Sequence, residues 1–290
     1  MSMKALLAVL DHRPSNRSLL ETACAFGSHW QAKLEVLLPY PGIWNPELMS
    51  VADETTRERI QQVVAQVRNH EESFLGKSRQ EFDDCCRRFR IPVTSDDTAP
   101  PPSARWDAYT DFDRGYRVVR HARLADLVFV RRPVADSGAG YEDLINQILD
   151  GSGRPILLVP PRSATANCGR IAIAWKGSAE SVRAVAAALD LIGAAEAVDI
   201  VIAESERTPG SAGRQLGAYL ACHGIRATPH VLTDRRNRSA GEAILDKCAD
   251  LKSDLLVMGA YSHPRLQERV FGGVTHHVMA HAELPVLMAR

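Results

Sequence analysis

The residues best suited to chemistry lie near the carboxyl end, in VMGAYSHPRLQERVFGGVTHHVMAHAELPVLMAR (257–290). An apolar run ends at Met258-Gly259, a polar loop follows, and Gly272-Gly273-Val274-Thr275 stands where a helix should open. Such a segment favours an anion. Glycines let backbone approach a phosphate closely. The first N–H groups of a helix lack intrahelical partners, and its dipole adds positive potential. Thr275 can add a hydroxyl, and Arg265 or Arg269 can add charge. A tight strand–helix turn built on a structural Gly-Gly explains the same spacing, and both readings stay open.

Other chemistries are poorly served. His277 and His281 share a helix face at i and i+4, with His276 beside them and His263 as the local candidate for a third metal ligand. A polar helix face is the preferred reading of them, and no metal site is expected. HExxH, Gx4GK[ST] and GxSxG are all absent, and GAGYED (138–143) lacks the last glycine of GxGxxG. Glu268 reads as a solvated loop residue, so no base beside a nucleophile and no catalytic residue is expected. Cys24, Cys85, Cys86, Cys168, Cys222 and Cys248 form no CxxC or paired zinc-ligand spacing. Vicinal Cys85 and Cys86 seldom bridge, so reduced thiols are expected.

The elements that must position these residues are legible from periodicity. Candidate strands are 4–10, 33–39, 126–132, 155–161, 170–175, 198–203, 227–233, 254–260 and 285–290, most of them continuous apolar runs. Such strands are buried on both faces, as in parallel sheets covered by helices. Helical stripes lie between: Leu19, Ala23, Phe26 and Trp30 after Ser15, then Val182, Val185, Ala186 and Leu189 after Ser178. Residues 47–90 read as one long amphipathic helix or two in series, and TAPPPSAR (98–105) as a proline-rich loop. Alternating strand and helix predicts α/β architecture with right-handed crossovers.

The two halves repeat. KALLAVLD aligns with RIAIAWK, placing Asp11 opposite Lys176; ADLVFVRRP aligns with SDLLVMGAY, and RPILLVPP with LPVLMAR, in the same order. A tandem duplication is expected, with units at 1–162 and 168–290 and a polar, proline-bearing seam at 160–169. Lys+Arg and Asp+Glu are both 35 in 290 residues, so no global field exists to hold nucleic acid or an anionic membrane. No apolar run approaches the ~20 residues of a membrane helix, and the first stops at Asp11. A cytoplasmic protein is the expectation.

The loop resembles the universal stress protein (UspA) family, whose nucleotide-binding members carry G-x2-G-x9-G-[ST]. Gly259 matches the first glycine, Ser262 stands at the second, Gly272 matches the third, and Gly273 stands at the Ser/Thr position, followed by Val274-Thr275. The resemblance is strong over 170–290 and weaker over 1–160. It implies a mostly parallel five-stranded sheet flanked by helices in each unit (the adenine nucleotide alpha hydrolase-like fold), the two units packed as an intrachain pseudo-dimer. It also implies ATP or ADP as cofactor, with or without Mg2+, held by Met258, Gly259, Ser262, Gly272, Gly273, Val274 and Thr275. The family's nucleoside-contacting Asp matches Asp11 in the first unit; the second has Lys176 there. In the first unit, Arg131 falls at the Gly259 position, and Glu142 and Asp143 fall opposite Gly272 and Gly273. Each carboxylate would repel phosphate by about 1–4 kcal/mol at 4 Å. One nucleotide per chain, in the second unit, is the expectation. The implied role is a non-catalytic stress-response protein. An interaction or scaffold protein with vestigial pockets and no nucleotide, and a weak ATPase, remain alternatives. The protein partners are not specified, and a monomer and a homodimer of pseudo-dimers both fit.

Overall fold

The computed structural model describes the chain except residues 1–2, 41–53, 111–113, 134–138, 162–167, 205–209, 234–237 and 262–272, and omits some further side chains, those of 54–65 among them. The first half runs β1 (Ala5–Val9), α1 (Arg17–Trp30), β2 (Lys33–Tyr40), α2 (Glu54–Arg88), β3 (Ser103–Thr110), α3 (Arg114–Ala122), β4 (Leu127–Arg131), α4 (Ala139–Gly151) and β5 (Ile156–Val159). The second runs β6 (Arg170–Ala174), α5 (Ala179–Ala187), α6 (Leu189–Ala194), β7 (Ala197–Ala203), α7 (Ala212–Cys222), β8 (Thr228–Leu232), α8 (Ala240–Asp250), β9 (Leu255–Gly259), α9 (Val274–His281) and β10 (Val286–Ala289).

All ten strands form one sheet in the order β3-β2-β1-β4-β5-β10-β9-β6-β7-β8. Pairing is parallel within each half, and the halves meet where β5 runs antiparallel to β10, Leu157 opposite Leu287. The α/β class and mostly parallel sheet match the sequence expectation. The antiparallel junction merges the halves into one sheet and turns their carboxyl edges in opposite directions. Arg290 reaches across the junction to Asp150, and Arg132 donates to the carbonyl of Ala280.

The continuous apolar strands are buried because each sheet face carries helices. Leu6, Phe129, Leu157, Ile173 and Leu287 pack with α1, α2, α5, α6 and α7 on one face. Leu7, Val130, Leu158, Met258 and Met288 pack with α3, α4, α8 and α9 on the other. Both cores run through the junction. Carboxylates fix the two entering strands alike: Asp126 accepts from the N–H groups of Lys4 and Ala5, and Asp254 from that of Arg170.

Three local readings need correction. β3 begins at Ser103, so 103–105 belong to an edge strand that its polar composition concealed. In α5 the buried face is Ser181, Ala184 and Val185, while Val182 is exposed. Asn16 holds the N-cap position of α1, although Ser15 Oγ still accepts from the Arg17 N–H at 3.2 Å. Residues 54–88 form one helix. Of the segment expected to be helical, 47–53 lie outside the described residues, as do 162–167 of the seam.

Leu287 is fully buried on β10 at the junction. Leu287→Ala is expected to destabilise the chain by about 2–5 kcal/mol. In urea unfolding, Trp106 in the first half and Trp175 in the second should report one shared, earlier transition. A loss confined to Trp175 would contradict the continuous core.

Candidate functional site

Each half has a topological switch point. The chain leaves β1 toward β2 on one side and returns to β4 on the other; β6, between β7 and β9, does the same. Open α/β sheets bind ligands in the crevice outside the carboxyl ends of such strand pairs. The residues there are Asp11 and Arg131 in the first half, Lys176 and Gly259 in the second. The registers match, Val9 pairing with Val130 and Ala174 with Met258.

In the first half the crevice is filled by its own side chains. Arg131 turns its guanidinium inward, where it donates to the carbonyl of Ser15 and to Asn16 Oδ1 at 3.2 Å, and lies 3.7 Å from Asp11 Oδ1. Asp11 and Arg131 are both 7% exposed. Asp11 Oδ2 is also bound by Arg13 Nε at 3.1 Å. Asn16 Nδ2 donates back to the Asp11 carbonyl at 2.9 Å, and Glu81 of α2 accepts from the Asn16 N–H at 2.9 Å and the Ser15 hydroxyl at 2.6 Å. The Arg131 N–H donates to the Tyr141 hydroxyl at 2.9 Å. Burial pulls the Arg131 guanidinium below its ordinary range, opposed by the charge of Asp11, and pushes the Tyr141 phenol up. The carboxylate matched to the nucleoside-contacting Asp is thus engaged by two arginines.

The second half is built differently at the same place. Gly259 closes β9 without a side chain because α5 begins directly against it: a Cβ there would lie 2.5 Å from the Ser181 nitrogen and 2.8 Å from Glu180. Gly177, at φ +73°, makes the turn from Lys176 into α5. Ser178 caps that helix, its hydroxyl accepting from the Ser181 N–H at 3.4 Å. The Glu180 carboxylate is turned to Arg183 at 3.1 Å. Lys176 is exposed at the mouth. Gly273 is the N-cap of α9, followed by Val274 and by buried Thr275, whose Oγ accepts from the Tyr261 N–H at 3.2 Å. Tyr261 takes φ +51°. The hydroxyl expected to face a ligand therefore first ties the base of the loop to α9.

Met258, Gly259, Gly273, Val274, Thr275 and Lys176 gather at one carboxyl edge. Asp11 lies at the opposite edge of the sheet, because the β5–β10 junction reverses the halves. Ser262 and Gly272, together with His263, Arg265, Glu268 and Arg269, lie outside the described residues. Sequence reasoning placed Arg131 at the Gly259 position but took Glu142 and Asp143 as the obstacle. Those two are exposed near the start of α4, and the inward side chain is Arg131. An arginine ending an otherwise apolar strand beside Asp11 was the available signal.

The histidines read as a packed helix face. His277 stacks on His281 with ring centroids 4.4 Å apart, and Gly241 of α8 approaches His277 closely. Burial and the neighbouring His281 hold His277 below the usual imidazole range. The six thiols are free, and Cys222 alone is exposed. Burial pushes Cys85, Cys168 and Cys248 up to about 12.

The fold and crevice define an open-sheet α/β protein with a mostly parallel sheet flanked by helices. Residues 168–290 match the model of the universal stress protein family. Over nearly its whole length the chain is similar in fold to a universal stress protein from Archaeoglobus fulgidus DSM 4304, at 12% identity and TM-score 0.64, covering 99% of this chain and 96% of that one. It is also similar to a functionally unknown protein from Pseudomonas aeruginosa PAO1, at 14% identity and TM-score 0.55, covering 99% and 92%. No curated protein matches the chain. Among the described residues no helix is long and apolar enough to cross a membrane.

Two measurements follow. Arg131→Ala leaves Asp11, Asn16 and the Ser15 carbonyl short of a donor and is expected to lower stability by about 1–3 kcal/mol in urea unfolding; an unchanged midpoint would contradict the filled crevice. A colorimetric disulfide reagent should titrate one thiol per native chain, lost in Cys222→Ser, and six after denaturation, because thiolate character and exposure control reactivity.

Proposed function

We propose that the chain is a tandem universal stress protein, with units at 1–162 and 168–290 joined as a pseudo-dimer, and that it binds one adenine nucleotide, ATP or ADP, in the second unit without catalysing its turnover. The observation that carries this reading is the contrast at one position. Arg131 blocks the first crevice with a buried guanidinium, whereas Gly259 leaves the second bounded by backbone. Phosphate favours the second crevice for physical reasons. The helices after β6 and β9 both begin at that edge, so their free N–H groups and dipoles point to it. Glu180 already supplies an anion in the first turn of α5, which directs phosphate toward α9 and the ammonium of Lys176. The second unit has no counterpart of Asp11, so the ribose is recognised by backbone or by Lys176.

The non-catalytic role follows from the same groups. Attack on a phosphoryl centre needs a positioned water and usually a metal held by carboxylates. Glu180 is engaged by Arg183 and does not serve as a water-activating base. Mg2+ would enter with the nucleotide's own phosphates as its principal ligands. A soluble responder that changes surface on binding nucleotide needs no further chemistry.

Isothermal titration with ATP and with ADP tests the proposal. One site per chain is expected, and Lys176→Glu should weaken it by about 10–100-fold, the worth of one charged hydrogen bond plus the repulsion that replaces it. Arg131→Ala should leave the affinity unchanged. Absence of heat at millimolar nucleotide, or binding indifferent to Lys176, would refute it in favour of a scaffold with vestigial pockets.

A further inference from the structure

Away from both crevices, three side chains of metal-binding type converge in the first half. Glu35 comes from β2, Asp107 from β3 and His121 from the last turn of α3, and one ligand atom from each lies within 4.8 Å of the others. Three elements distant in sequence meet here for local reasons. Glu35 and Asp107 project from neighbouring strands on the face that α3 covers; Arg105 is the register partner of Glu35, and Leu37 that of Asp107. His121 Nδ1 lies 3.0 Å from Glu35 Oε2. The three side chains are 19–28% exposed, deep enough to be held in place and open enough for an ion to enter.

The charges are not balanced from within. Arg117 donates to Asp107 Oδ2 at 2.9 Å and lies 3.9 Å above the Tyr109 ring. Arg105 is turned away to Asp97, and Lys33 Nζ donates to the Asp97 carbonyl at 2.8 Å. Two carboxylates and an imidazole thus face one guanidinium. The second half offers a direct comparison. Asp199 and His230 occupy the same register positions on β7 and β8 and close into a pair at 2.7 Å. Among the described residues, no third ligand joins that pair. Among the described residues, the first half alone assembles three.

We propose that Glu35, Asp107 and His121 bind a divalent transition-metal ion of the zinc type. Two carboxylate oxygens and one imidazole nitrogen suit an ion of intermediate softness. Zinc–ligand distances of about 2.0–2.2 Å place tetrahedral ligand atoms about 3.3–3.5 Å apart. The Glu35–His121 pair, at 3.0 Å, lies a few tenths of an ångström inside that separation, and the Asp107 oxygen lies within 4.8 Å of both. Arg117 then acts from the outer shell, orienting Asp107 through the oxygen that does not touch the metal. Three protein ligands leave a fourth position. A cavity of about 480 Å³, lined by Glu35, His121, Asp96 and Arg105, opens beside the trio and gives that position room for water or a small anion.

The test uses the full chain, stripped with chelator and titrated with zinc chloride by calorimetry, then loaded with cobalt(II) for its visible spectrum. One saturable site per chain is expected, with the absorption of a four- or five-coordinate cobalt centre. Asp107→Asn and His121→Ala should each weaken zinc by at least about 10–100-fold, the range seen even for outer-shell changes. Glu35→Gln keeps a hydrogen-bond acceptor for His121 and should show the same loss, with its unfolding midpoint confirming a folded chain. His277→Ala/His281→Ala should change nothing. Zinc binding that survives all three first-half variants, that disappears in the His277/His281 variant, or that is absent at 100-micromolar zinc (roughly, the weakest useful affinity, about −5.5 kcal/mol) would overturn the proposal.

Discussion

A guanidinium removed from water must be met by acceptors on nearly every side, because an unsatisfied buried charge is among the most costly features a fold can carry. Arg131 imposes that condition on the first half. The Ser15 carbonyl, Asn16 Oδ1 and Asp11 all gather at one of its terminal nitrogens, its buried Nε has no hydrogen-bond partner among the described residues, and Asn16 and Ser15 are themselves fixed by Glu81 from α2. The long helix, the start of α1 and the carboxyl ends of β1 and β4 are therefore organised around one side chain. The second half has the opposite condition at the same register. Gly259 lets α5 approach so closely that a methyl group would collide with backbone. One arm of the sheet closes its crevice with a side chain, and the other shapes it with main chain.

This division would mean little if the halves moved independently. The β5–β10 pairing passes both hydrophobic layers through the junction, with Leu157 and Leu287 on one face and Leu158, Val286 and Met288 on the other. The antiparallel sense of that pairing sends the two crevices to opposite edges, which is why Asp11 and Lys176, equivalent in register, never meet. The two halves share one sheet, and each keeps its own crevice at its own carboxyl edge.

How much of this was legible before the coordinates depended on burial. Strands such as DLVFVRR and DLLVMGA are buried on both faces, and continuous apolarity exposes them. SARWDAYT escaped because it is an edge strand whose polar residues do not alternate cleanly and whose start follows three prolines. The buried face of α5 was misjudged for a related reason: Ser181, Ala184 and Val185 fit where the helix crowds Gly259, so the bulky Val182 points to water. Gly259 at the end of β9 and Gly273 at the start of α9 were visible from spacing. The filled crevice and the Glu35–Asp107–His121 trio were not, since each is assembled from segments 86 or more residues apart at its farthest pair. Composition carries no record of such meetings; only strand order does.

A crystal structure grown with ATP bears most directly on the central claim. The account predicts adenine-nucleotide density at the carboxyl ends of β6 and β9, with phosphates toward Lys176 and the start of α9, and Arg131 still paired with Asp11. Density at the ends of β1 and β4, with Arg131 displaced and the Gly259 crevice vacant, would contradict it.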